Sequence, residues 1–295
     1  GTIRVKEPMV LGHEVAGVIE GVGGDVKGFT PGERIAISPS WPCGACRYCQ
    51  QGLQNHCLDM RYYGSAMRNP HVPAGFWRGV NLNQNTIYVE SFIDELAHAT
   101  GADPVDYRLR FLKDERARDA IVKAAEKFGW SQWRKTPGRG RGIGFAKYKN
   151  IAGYCAVALE VEVNRQNGRI RVLRAVASAD CGHMVNPDGV SNQIEGGLIQ
   201  SLSWSLKEEV KFDDTQILST DWNSYPILTF SEIPQVEVVL VNRPGAPFLG
   251  TGEASQGPTS AALANAVFDA TGVRFRRLPL TPERVKQGLD KKGTA

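Results

Sequence analysis

The chain has 295 residues, 42% of them hydrophobic and 22% charged, which lies inside the globular range and suffices for one large or two medium domains. Disorder throughout is excluded. The longest apolar runs, such as 238–241, fall far short of the roughly 20 residues a helix needs to cross a bilayer, so no membrane span is expected. Residues 1–6 carry neither an initiator Met nor a leader pattern, which gives the expectation of a cytoplasmic chain with a truncated start. The formal net charge of +4 is unevenly spread: between Arg108 and Lys149 thirteen Lys and Arg stand against four acidic residues. With no aromatic-interleaved basic motif, this run reads as a solvated helical face followed by a basic loop, and no nucleic-acid partner is expected.

In chain order, residues 9–40 read as short strands and tight turns, with Val15 to Ile19 alternating, a turn at Gly23-Gly24-Asp25, and a return through Arg34 to Ile37. A helical period follows over 84–100, where Val89, Ile93 and Ala97 stand beside Phe92 and Leu96 as an apolar face and Gly101 stops it. Asp103-Pro104 predicts a capped helix through Leu112, and a third helix spans 117–128 before Gly129. Val157, Leu159, Val161 and Val163 alternate, Asn167-Gly168 predicts a type I′ turn, and Ile170 and Val172 complete a hairpin. Val190, Ile194, Leu198, Leu202 and Leu206 make one apolar stripe, beside small residues that permit close approach. A strand at 236–241, a glycine loop at 248–253, an Ala-rich helix at 258–271 and a short helix capped by Thr281 finish the chain.

Six cysteines are unequally placed. Cys155 and Cys181 stand alone in apolar surroundings and read as small buried hydrophobes. Cys43, Cys46, Cys49 and Cys57 form C-x2-C-x2-C-x7-C, four thiolates on one loop, which suits a tetrahedral zinc; disulfides and an iron–sulfur cluster are the competing readings. Four protein ligands leave no vacancy, so this zinc is expected to be structural.

Gly12-His13-Glu14, the stretch 28–34 (Gly-Phe-Thr-Pro-Gly-Glu-Arg) and the four-cysteine loop together resemble the zinc-dependent medium-chain dehydrogenases, in their polyol and idonate branch, over about residues 1 to 72. The resemblance implies a partial GroES-like β-barrel, with His13 as a ligand of a catalytic zinc and Glu14 in the same shell. The family's other ligands have no counterpart here, so that site is expected to be vestigial. Each glycine pair that could open a G-x-G-x-x-G turn lacks the third glycine, as where Gly250 and Gly252 meet Ser255, so hydride transfer to a nicotinamide is not expected of this chain.

Further along, Trp77-Arg78-Gly79, Asp180-Cys181-Gly182, Val185-Asn186-Pro187, Gln193-Ile194-Glu195-Gly196-Gly197 and Gly250-Thr251-Gly252-Glu253 resemble the molybdopterin-binding large subunit of molybdenum hydroxylases. That is the xanthine dehydrogenase and aldehyde oxidase family, in its isoquinoline-oxidoreductase branch. The resemblance implies that Glu253 is the catalytic carboxylate, and that Arg78, Gln193, Gly252 and Ser255 contact a molybdenum cofactor of the molybdopterin cytosine dinucleotide type. It further implies an iron–sulfur partner subunit and a small-molecule substrate, an aldehyde or N-heterocycle. Among glycines and apolar neighbours a carboxylate is desolvated, which would raise its pKa and suit it as a base.

The fold class expected is α+β: residues 1–74 as a partial dehydrogenase-like barrel segment, 75–295 as a mixed molybdopterin-binding region, with the seam between Val72 and Arg78. The functional expectation is an oxidoreductase-derived chain, incomplete by itself. Its alternatives are a zinc-stabilised non-catalytic fusion remnant and a fragment of a zinc-dependent polyol dehydrogenase.

Overall fold

The computed structural model describes residues 15–24, 27–28, 30–37, 40–41, 45, 50, 61–62, 77–80, 82–148, 152–213 and 216–293. Cys43, Cys46, Cys49, Cys57, His13 and Glu14 lie outside the described residues, and with them both expected zinc sites. Packing divides the chain into two units, Gly1–Gly75 with Val210–Leu218, and Phe76–Glu209 with Ser219–Ala295.

In the first unit, β1 (Val15–Val18) pairs antiparallel with β2 (Arg34–Ile37), and β3 (Ser40–Trp41) with β4 (Arg61–Tyr62). Ile19 N–H donates to Glu33 O and Gly32 N–H to Ile19 O, closing the first pair. Gly28 and Gly32 supply positive φ in the connection, at 84° and 92°.

The second unit begins with helices α1 (Leu82–Ala99), α2 (Pro104–Phe111) and α3 (Glu115–Phe128). Asp103 and Asp114 cap α2 and α3 with their carboxylates, and Gly129 ends α3 in the left-handed conformation, as capping chemistry favours. Strands β5 (Arg139–Lys147), β6 (Tyr154–Val163) and β7 (Ile170–Asp180) form an antiparallel meander, and β8 (Gln235–Leu240) adds parallel to β7 after α4 (Pro187–Leu206). Helices α5 (Gln256–Thr271) and α6 (Pro282–Gly293) complete an α+β unit.

Because side chains alternate along a strand, β6 feeds two cores. Tyr154, Ala156 and Ala158 pack with Ile121, Ala124 and Phe128 of α3. Cys155, Val157, Leu159 and Val161 pack with Ile194, Leu198 and Leu202 of α4 and Leu263 and Val267 of α5. Both lone cysteines are buried; burial pushes the Cys155 thiol up to about 12 and raises that of Cys181 as well.

Three expectations are corrected. The basic run is only in part a solvated face: Arg110, Lys113, Lys127 and Arg134 are exposed, but its glycine-rich part is strand β5 and not a loop, and other cations form ion pairs, Arg108 with Glu90, Arg116 with Asp180, Arg141 with Asp103 and Lys135 with Asp269. The hairpin connection is not a type I′ turn, which needs positive φ at both central residues. Gly168 has φ 74° while Asn167 is not in that region, and Asn164 Oδ1 instead accepts from the amides of Gln166 and Asn167 in a longer loop. The apolar residues of α1 do not all face inward: Val89 and Phe92 are 56% and 59% exposed, whereas Glu90, Ser91 and Asp94 are buried. Ion pairs of Glu90 with Arg108 and Asp94 with Arg274 carry that polar face into the interior.

Beneath α5, the glycines of β5 bring backbone against backbone. A Cβ on Gly142 would stand 2.2 Å from Ala262 O and 2.3 Å from Ala266 N, whereas one on Gly196 of α4 would meet nothing within 4 Å. Gly142→Ala is expected to cost about 3 kcal/mol. Gly196→Ala should gain about 0.5–1 kcal/mol from helix propensity alone; urea unfolding of the two variants beside the parent checks both signs.

Candidate functional site

A tight turn precedes α1. Val80 N–H donates to Trp77 O, Gly79 adopts φ 93° and Val80 φ 46°, and Asn83 Nδ2 donates to Arg78 O at 2.9 Å. The turn is anchored by Trp77, whose ring meets that of Trp204 edge-on with centroids 4.7 Å apart. Only glycine fits at position 79, where a Cβ would fall 2.2 Å from Asn83 Oδ1. The turn delivers Arg78 to the middle of α4 and to the glycine loop before α5. Its Nε donates to Gly252 O at 2.6 Å, Nη1 to Gln200 Oε1 at 3.2 Å, and Nη2 to both Gln193 O and Gln193 Oε1 at 3.1 and 2.9 Å. Desolvation lowers the pKa of this guanidinium, and the charge of Glu253 acts in the opposite direction.

Glu253 lies between two donors. Its Oε1 accepts from Gly79 N–H at 2.9 Å and its Oε2 from the Tyr148 hydroxyl. Burial and the carboxylate together push the Tyr148 phenol up to about 12. The environment differs from the apolar enclosure expected from sequence: Glu253 is half-buried, Gly252 beside it is exposed, and each carboxylate oxygen accepts a hydrogen bond.

Ser255 is buried and occupies the cap position of α5, yet makes no side-chain cap; its Oγ donates to Ile194 O at 2.9 Å. Gly197 makes this seat possible, since a Cβ there would stand 2.4 Å from Ser255 Oγ. Gln256, fully buried at the first position of α5, donates from Nε2 to Gln200 Oε1 at 3.1 Å, while its Oε1 is buried without a hydrogen-bond partner. The helix start thus lacks a side-chain cap, with Gln256 N–H donating to Glu253 O at 3.4 Å, and holds an orphaned acceptor beside it, a setting that suits an amide-rich ligand.

The structure thus brings Arg78, Gln193, Gly252, Glu253 and Ser255 into one site. Gly79, Tyr148, Gln200 and Gln256 also belong to it and were not singled out in the sequence. Gln200 stands two helical turns from Gln193 on the same face of α4, a period that was readable; Tyr148 has no local signature. Among the described residues no group of three or more His, Cys, Asp and Glu side chains could hold a metal ion.

The Asp180-Cys181-Gly182 segment is a separate knot at the end of β7. Asp180, fully buried, accepts from Arg116 Nε at 2.9 Å, Arg243 Nε at 2.5 Å and Gly182 N–H at 2.9 Å. Burial pushes its carboxyl up, but the two guanidinium hydrogen bonds and the amide outweigh it and hold it below the ordinary range.

Two family models match the sequence: the alcohol dehydrogenase GroES-like domain over residues 1–88 and the molybdopterin cofactor-binding domain over residues 92–234. A nicotinate dehydrogenase component of Pseudomonas putida is 44% identical across 90% of this chain and 22% of its own length. The beta chain of isoquinoline 1-oxidoreductase from Brevundimonas diminuta is 33% identical across 72% of this chain and 27% of its own length. L-idonate 5-dehydrogenase of Escherichia coli is 49% identical across 26% of this chain and 22% of its own length. Quinoline 2-oxidoreductase from Pseudomonas putida shares the fold, with a TM-score of 0.67 at 17% identity over 74% of this chain and 53% of that one. The chain therefore spans about a quarter, or less, of the length of these curated relatives. No helix among the described residues is long and apolar enough to cross a membrane.

Two outcomes follow from this geometry. Lysine at position 78 lacks the planar fork that reaches Gly252, Gln193 and Gln200 together, so in Arg78→Lys the amides of 252–255 should exchange about tenfold faster, a loss of about 1.4 kcal/mol of local stability. Hydrogen exchange read by mass spectrometry tests this, and unchanged rates would refute it. For Asp180, a carboxyl depressed in the folded state stabilises above its unfolded value, about 3.9, and ceases to do so as pH falls through the folded value. Asp180→Asn should lose about 2 kcal/mol at neutral pH and flatten the decline of the urea midpoint between about pH 5 and pH 2.

Proposed function

We propose that this chain, a composite of an alcohol dehydrogenase GroES-like segment and a molybdopterin cofactor-binding segment, supplies the C-terminal, base-bearing part of a molybdenum hydroxylase. The finer parts of the reading are a cofactor of the cytosine dinucleotide form, an aldehyde or N-heterocycle as substrate, an iron–sulfur partner subunit, a cytoplasmic location, and a structural zinc on Cys43, Cys46, Cys49 and Cys57. The domain division at 1–74 and 75–295, with His13 and Glu14 as a vestigial zinc site, belongs to the same proposal; the separate packing of Gly1–Gly75 supports it.

The observation that carries the reading is the convergence of Glu253 with Arg78, Gln193 and the uncapped start of α5. The residues fit a molybdopterin. Gln193 is exposed at the site, the α5 start carries no side-chain cap, and Gln256 Oε1 is an unused buried acceptor. When bound, such a cofactor supplies two-electron oxidation and oxygen transfer. Arg78 fixes the Gly252 carbonyl and so the loop bearing Glu253. Glu253 accepts a proton at its carboxylate while Gly79 N–H and the Tyr148 hydroxyl keep it in place. Gln193 and the amides around Ser255 orient the bound group.

A non-catalytic remnant is the second reading, favoured by one observation: Arg78 Nε, Nη1 and Nη2 all donate to acceptors of this chain. Co-expression with the remaining portions of a related hydroxylase, its iron–sulfur subunit and the cofactor machinery separates the two. Elemental analysis should find molybdenum and one zinc per chain, and Glu253→Gln should keep the molybdenum while losing turnover by about a hundredfold or more. Zinc without molybdenum would establish the remnant.

A further inference from the structure

We propose that Tyr148 is the positioning residue of Glu253: its hydroxyl and the Gly79 amide take one carboxylate oxygen each and so fix the plane of the group. The inference rests on the reading of Glu253 as the base. Three segments distant in sequence meet at this carboxylate, since Gly79 and Tyr148 stand 174 and 105 residues from Glu253.

The meeting is enforced from both sides. Tyr148 immediately follows β5; its N–H donates to Gly153 O at 2.9 Å, and its carbonyl accepts from Ala152 N–H at 3.0 Å. Gly153 is in turn seated against the glycine loop, because a Cβ on it would stand 2.7 Å from Gly250 O. Near the end of β5, a Cβ on Gly144 would stand 2.4 Å from Pro258 O in the first turn of α5. The strand that carries Tyr148 and the helix that Glu253 precedes are thus locked at one depth.

The chemistry suits the role. Burial and the neighbouring carboxylate push the Tyr148 phenol up to about 12, so near neutral pH it is protonated and donates. Each carboxylate oxygen offers two lone pairs, and one donor on each leaves a pair for an incoming proton. The charged group that also acts here is Arg78, through its interaction with Glu253. Tyr148→Phe retains the ring and deletes the hydroxyl that donates to Glu253.

The test labels the Glu carboxyls of the intact chain with 13C, the Glu253 resonance being identified by its loss in Glu253→Gln. Loss of the hydroxyl donor in Tyr148→Phe should move the Glu253 carboxyl resonance at neutral pH. Reciprocally, 13Cζ labelling should show the Tyr148 phenol moving down from about 12 in Glu253→Gln by the carboxylate's share, while burial, the larger cause, still holds it above the ordinary range; this measurement does not depend on the Phe variant folding. An unmoved Glu253 carboxyl resonance, or an unmoved Tyr148 phenol, overturns the proposal. Neither readout involves molybdenum, so failure of the hydroxylase reading shows separately as missing metal or turnover.

Discussion

Three glycines on β5 let α5 approach the sheet closer than any side chain would permit. Cβ atoms at Gly140, Gly142 and Gly144 would stand 2.2, 2.2 and 2.4 Å from the carbonyl oxygens of Ala266, Ala262 and Pro258. The match is between two periods: every second residue of a strand faces one side, and every fourth residue of a helix returns to one face. The intervening Arg141 and Ile143 turn to the other face, where Arg141 lies over the Trp130 ring, 4.0 Å from its centroid, and Ile143 joins the α3 core. Glycine in a strand costs backbone entropy and loses side-chain packing; here close contact with an Ala-rich helix offsets that cost. Since α5 begins at Gln256, the same contact sets the depth of Ser255 and Glu253 at its head.

A second constraint acts through α1. Its buried face is polar, and Glu90 is the hub: Glu90 Oε2 accepts from Arg108 Nε at 2.8 Å and from Phe145 N–H at 3.1 Å. Asn265 of α5 donates from Nδ2 to Ile143 O at 3.0 Å and accepts from Arg274 Nη1 at 2.7 Å. Desolvation is the main cost of such a pair, and one partner removed leaves a buried charge. These bonds join α1, α2, β5 and α5 with directional contacts, so the turn holding Arg78 and Gly79, just ahead of α1, is tied to the sheet that carries Tyr148.

The legible and illegible parts divide along physical lines. Local chemistry was readable: Asp103 before Pro104, Gly129 after Phe128, Thr281 before Pro282, and the stripe of Ile194, Leu198 and Leu202 all act as their residue types dictate. The residues picked out by the glycine motifs, Arg78, Gln193, Gly252, Glu253 and Ser255, converge in space. What failed was read from properties that tertiary partners reverse. Gly138 to Gly144 looked like a basic loop because glycine and arginine disfavour strands; α5 and acidic residues elsewhere supply the compensation. Val89 and Phe92 looked like core because the partners of Glu90 and Asp94 lie 18 and 180 residues away. Tyr148 was invisible for the same reason, its contact depending on where β5 ends.

The site's own wiring explains how it can be well formed and still incomplete. Every donor nitrogen of Arg78 that lies in the site is used to tie the loop at Gly252 to α4, so the arginine acts as framework before any ligand arrives. The groups left for a ligand are of another kind: an exposed amide at Gln193, an uncapped helix start at Ser255, an orphaned acceptor at Gln256 and the remaining lone pairs of Glu253. Amides, a helix start and a carboxylate can recognise and orient a ligand or take a proton, but none of them transfers an electron pair. On the reading proposed above, the electron pair would pass to a bound group, and Glu253 is held by this chain's own amide and phenol before any such group binds.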